Sequence, residues 1–194
     1  MGCGYLTATG DSYFGEYIPF AQLKFPPPRT LALAGLRPFK LPFPMTNDSP
    51  AFAALKAAIR EQIIRLVETE NVRAFICGMA LGIDTVCCEI VLELKQIYPD
   101  LTLQAALPCS TQDIKWSNAD RDRFRELLGN CDNVHIQSAE YTDTCMLERN
   151  YFMVDHADYL LAVWTGTNGG TAKTVKYAQE RGVTTIIIDP DDYK

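Results

Sequence analysis

Short apolar runs alternate along this chain with longer stretches whose apolar residues recur every three or four positions. The first pattern marks buried strands and the second amphipathic helices. Thr30–Ala34 reads as the first strand. Ser49 and Pro50 then open a helix as N-cap and first helical residue, with Phe52, Leu55, Ile59, Ile63 and Leu66 on one face. Ala74–Cys77 is a second strand, followed by a helix presenting Val86, Ile90, Leu94 and Ile97. Leu101–Leu107 is a third strand, ended by Pro108. A charged helix near Ala119–Leu128, a weaker strand Val134–Gln137 and a helix at Cys145–Asp155 come next. Tyr159–Trp164 and Thr184–Ile188 are the last strands, with a helix between them.

Strands that are apolar throughout and separated by helices imply a parallel sheet covered on both faces. The predicted fold class is therefore α/β: a Rossmann-like, doubly wound parallel sheet of about six strands in three α/β/α layers. Such sheets bind ligands beyond the carboxyl ends of their strands. Residues 30–194 form the predicted single domain. Residues 1–29 form an N-terminal extension rich in Gly, Tyr, Phe and Pro, joined through the stiff Pro26–Pro28 segment.

The bulk numbers change this picture little. The chain has 194 residues, 47% hydrophobic and 22% charged, a globular balance suited to one core. Net charge of −6 disfavours broad nucleic-acid binding. Seven cysteines without a CxxC pair suit a reducing, cytoplasmic setting, and no metal site is expected from the two histidines. No stretch of about 18 apolar residues suggests a membrane span, and no basic start suggests a signal peptide. A homo-oligomer is compatible with this composition.

Three loops follow strands where ligands are expected. They are Gly35-Leu36-Arg37-Pro38, Gly78-Met79-Ala80-Leu81-Gly82-Ile83-Asp84, and Gly166-Thr167-Asn168-Gly169-Gly170-Thr171. Glycine allows close backbone approach, and the free N–H groups at a following helix start favour phosphate. Lys173 and Lys176 in the helix after the third loop add positive charge. Asp84 is a helix N-cap or, alternatively, a carboxylate for ribose hydroxyls. Arg149 is a bidentate phosphate ligand or a surface ion pair, and in either role is dispensable for folding. Asn150 lies beside it. Asp155 is a site carboxylate or a solvated helix-end residue, and Trp116 stacks on a base or packs over the sheet edge. Neither GxxxxGK[ST] nor GxGxxG occurs, which disfavours P-loop and nicotinamide enzymes. If the three loops share one mouth, the first strand lies between the second and the Tyr159–Trp164 strand. That gives sheet order 4-3-2-1-5-6, with 3-2-1-4-5-6 as the alternative.

The stretches Gly35–Phe43, Phe75–Asp84, Gln112 with Trp116, Glu148–Asp155 and Gly166–Thr171 together resemble the YpsA-like family of the SLOG superfamily over about Thr30–Pro190. Leu36 stands where that family usually has histidine. The resemblance implies a Rossmann-like domain for a nucleotide or nucleotide-derived ligand, with no established cofactor. Gly35, Arg37, Gly78, Met79, Gly82, Asp84, Trp116, Arg149, Asn150, Gly166, Gly169, Gly170 and Thr171 are the expected ligand residues. The related LOG enzymes cleave N-glycosidic bonds using an arginine, matched by Arg149, and a glutamate whose position falls on Thr174. A hydrolase would need another carboxylate, from Asp84, Glu89 or Asp155. A third alternative is a nucleic-acid or protein adaptor on a DprA-like fold.

Overall fold

The computed structural model describes residues 27–194. The expected N-terminal extension lies outside the described residues except at its end, where Arg29 already belongs to the first strand. In chain order the elements are β1 (Arg29–Gly35), α1 (Pro50–Thr69), β2 (Val72–Cys77), α2 (Ile83–Leu94), β3 (Thr102–Cys109) and α3 (Asn118–Gly129). They continue with β4 (Asn133–Ser138), α4 (Cys145–Asp155), β5 (Tyr159–Val163), α5 (Gly170–Glu180) and β6 (Thr184–Ile188). A 3-10 turn, Pro38–Lys40, follows β1.

All six strands pair in parallel, in the order β4-β3-β2-β1-β5-β6. The first of the two expected orders is the one adopted. Alternation along β1 explains the layering. Leu31 and Leu33 face a core built with α1, α2 and α3, whereas Ala32 and Ala34 face α4 and α5. β5 repeats the pattern, with Leu161 and Val163 on the first side and Leu160 and Ala162 on the second. The small alanines let α4 and α5 lie close to the strand that carries the first glycine loop.

Two local expectations fail for physical reasons. β3 does not stop before Pro108 but runs through it to Cys109. Its pairing with β2 has ended by then, at Cys77 opposite Ala105, and pairing with β4 steps from Leu107–Ile136 to Cys109–Ser138. The missing proline N–H is therefore not needed. α2 ends at Leu94, so Ile97 lies beyond the helix and is exposed rather than packed on its inner face. Ser49 does cap α1 as expected, accepting from the Phe52 N–H at 3.3 Å.

Candidate functional site

At the carboxyl ends of β1, β2 and β5 lies a cavity of about 220 Å³, bordered by Gly35, Arg37, Lys40, Asp84, Arg149 and Thr171 among others. The first two loops meet at its floor through Asp84. One carboxylate oxygen accepts the Gly35 N–H and the other the Ala80 N–H, both at 3.2 Å. Asp84 is therefore not the N-cap of α2. Gly82 holds that position at φ +107°, and a Cβ there would lie 2.5 Å from the Leu36 carbonyl oxygen. The Leu36 carbonyl accepts the Ile83 N–H, the first N–H of the helix, at 3.1 Å. At Gly35 a Cβ would strike Ile83, so strand and helix can meet only around glycine.

Arg149 departs further from expectation. It is 4% exposed, neither on the surface nor in a surface ion pair. Its Nη1 donates to the Gly78 carbonyl and, at 3.0 Å, to the Ala106 carbonyl. Any Cβ on Gly78 would run into the guanidinium and the Asp84 carboxylate. Burial raises the pKa of Asp84, opposed chiefly by the positive charge of Arg149 and the Ala80 N–H. Burial lowers that of Arg149, opposed by the charge on Asp84. The two groups thus hold each other's charge in a place neither would occupy alone.

A chain of hydrogen bonds leads from Arg149 to the third loop. Its Nε donates to Asn150 Oδ1 (2.8 Å), Asn150 Nδ2 to Thr174 Oγ1 (2.9 Å), and the Thr174 hydroxyl to the Gly170 carbonyl (3.0 Å). The Thr171 hydroxyl donates to the Gly35 carbonyl at 3.2 Å and ties the start of α5 to the end of β1. The N–H groups of Gly170, Thr171 and Ala172 precede the first intrahelical bond, from Lys173 N–H to the Gly169 carbonyl. Gly170 and Thr171 border the cavity, so the positive end of the α5 dipole opens into it. Lys40 reaches the same place from the 3-10 turn, its ammonium 2.8 Å from where a Gly169 Cβ would stand.

The structure thus brings together Gly35, Arg37, Asp84, Arg149, Asn150, Gly170 and Thr171 around the cavity, with Gly78 beneath and Gly169 beside Lys40. Other expected residues lie elsewhere. Trp116 packs edge-on against Phe124 at 5.2 Å between ring centroids. Met79 is buried at φ +55°, its carbonyl held by Gln112 Nε2 at 2.8 Å. Gly166 turns at φ +78° in solvent, and Gly82 borders a separate recess. Asp155 accepts from Tyr177 (3.0 Å) and pairs with Arg181 (3.0 Å), while Glu89 pairs with Arg123. Neither carboxylate borders the cavity; Asp84 is the only one that does among the described residues. Lys40 is the cation that loop-by-loop reading missed, because its partner loop lies far along the chain.

The family model YpsA (YspA SLOG family) matches residues 31–193. This chain belongs to the YpsA family. It is 29% identical over 157 residues to the UPF0398 protein of Bacillus cereus, an alignment covering 79% of this YpsA chain and 84% of that protein. Among solved structures, DNA processing protein A of Helicobacter pylori superposes with a TM-score of 0.57 at 15% identity, covering 85% of this chain and 70% of that one. The Streptococcus pneumoniae DNA processing protein A gives 0.52 at 16% identity, over 81% of this chain and half of that protein. These two likenesses are of fold. No helix among the described residues is long and apolar enough to cross a membrane.

Proposed function

We propose that the cavity binds a phosphate-bearing nucleotide or nucleotide-derived ligand without hydrolysing it. One observation carries this reading: the N-terminus of α5 opens onto the same small cavity as Arg37 and Lys40. Two cations and a helix dipole bordering one cavity suit an anion. Against hydrolysis, Asp84 is committed to two backbone N–H groups. Thr174, at the position where the LOG-type glutamate would fall, is 1% exposed with its hydroxyl engaged on both sides. Among the described residues, no other carboxylate borders the cavity to activate water or steady an oxocarbenium ion.

The test is calorimetric titration of wild type, Arg37→Ala and Lys40→Ala against nucleoside mono- and diphosphates, with chromatography for released base. A charge-assisted bond is worth about 1.5–3 kcal/mol, so each variant should bind roughly ten- to hundred-fold more weakly while folding normally. Absence of binding by wild type would end the proposal. Rapid release of free base would favour a hydrolase.

A second reading has one specific observation behind it. Tyr151 and Tyr177 stack at 4.0 Å between ring centroids in a recess on α4 and α5 that Lys173 and Lys176 also border. Aromatic rings among lysines suit a single strand of nucleic acid, and the Helicobacter pylori fold relative is described with a single-stranded DNA binding mode. Steeply salt-dependent binding of an oligonucleotide, lost in Tyr151→Ala, would favour this reading. The net charge of −6 weighs against it.

A further inference from the structure

We propose that Phe39 is the residue on which the base of the ligand stacks, so that it selects nucleotides over plain sugar phosphates; this rests on the phosphate-binding reading above. The cavity holds about 220 Å³, below the roughly 300–1,000 Å³ of pockets that enclose a drug-sized ligand. A phosphate placed at the start of α5 leaves room for a sugar but not for a whole nucleotide. No aromatic side chain borders the cavity among the described residues. Recognition of a planar base therefore has to come from outside it.

The Pro38–Lys40 turn is where that outside surface begins. Arg37 and Lys40, the residues around it, both border the cavity, and Lys40 reaches across to Gly169. The turn is closed by the Lys40 N–H on the Arg37 carbonyl (3.0 Å) and the Leu41 N–H on the Pro38 carbonyl (3.2 Å). Phe39 sits between these anchors and is 82% exposed, more than any other large apolar side chain described. Its exposure is not general to the segment. Leu41, Phe43 and Met45 follow at every second position, and all three pack against the core. Phe39 alone is left with an uncovered ring on a turn fixed at both ends. Trp116, the other aromatic candidate, is already engaged by Phe124.

The experiment titrates the full-length protein with adenosine monophosphate and with ribose 5-phosphate, for wild type, Phe39→Ala and Phe39→Trp. Stacking of one base on an aromatic ring predicts roughly ten-fold weaker adenosine monophosphate binding by Phe39→Ala, with ribose 5-phosphate unchanged. Phe39→Trp should keep wild-type affinity, and its added indole emission should be quenched by the nucleotide and not by the sugar phosphate. Equal nucleotide affinity in wild type and Phe39→Ala, with ribose 5-phosphate still binding, overturns the stacking role alone. Loss of ribose 5-phosphate binding in Phe39→Ala also overturns it, since the ring would then be serving Lys40 or the turn. If wild type binds neither compound, this proposal and the phosphate reading fall together.

Discussion

Truncating Arg149 should unfold the protein more readily, whatever it does to a ligand. In Arg149→Ala the Gly78 carbonyl loses a donor, Asn150 Oδ1 loses another, and the carboxylate of Asp84, 6% exposed, is left without its main compensating charge. Removing one partner from a buried charged arrangement typically costs about 3–5 kcal/mol. That is a large part of the roughly 5–15 kcal/mol by which a domain is stable. At about 2–4 °C per kcal/mol for a chain of this size, the melting temperature should fall by roughly 6–20 °C. Urea unfolding followed by circular dichroism measures the loss, with Arg149→Ala, Asp84→Asn and the double variant forming a cycle. The double variant should lose less than the sum of the singles, because removing both charges leaves none stranded. A loss below about 1 kcal/mol for Arg149→Ala, or strict additivity in the cycle, would refute the view that the two groups hold each other in place.

Two further outcomes follow from the same floor. The pKa of Asp84 is raised by burial, so the protonated form favours the folded state. Its contribution is fully present below the unfolded value near 4 and fades as pH climbs through the raised folded value. The stability of wild type relative to Asp84→Asn should therefore decline from about pH 4 toward neutrality, and a rising difference in urea midpoints would contradict this. Gly78→Ala should cost about 1–3 kcal/mol through overpacking, since its methyl meets both Arg149 and Asp84; an unchanged midpoint would show that the floor can give way.

The alternation of apolar strands with amphipathic helices is legible in the chain because parallel strands covered on both sides need no polar residues. The sheet order is legible through the glycine loops, which can share a mouth only if the first strand is central. What the side chains do there is less so. Arg149 was open to a surface role, yet Cys145, Arg149 and Met153 fall at four-residue spacing on α4 and are all buried. That stripe was a readable signal that the charge lies inside. Asp84 looked like a cap because Asp favours caps; Gly82, at positive φ and with the Leu36 carbonyl where a Cβ would stand, takes the cap two residues earlier. Lys40 and Gly169 are neighbours only through the fold, and no local pattern joins them. Trp116 found its partner in the next helix, at Phe124, instead of in a ligand.

The central place of β1 has a consequence for how the protein is made. β1 pairs with β2 on one side, but its other edge waits for β5, whose Tyr159–Val163 lies opposite Leu31–Gly35. Ribosomes add about 5–20 residues per second, so that edge stays open for on the order of ten seconds after β1 emerges. It is a fully apolar edge with unsatisfied backbone groups, which is the kind of template that recruits foreign strands. During synthesis the nascent half-sheet is therefore the vulnerable species, and a shielding chaperone has its greatest effect there. The cavity exists only once α5 has docked, so no ligand can rescue the chain before that helix has been made.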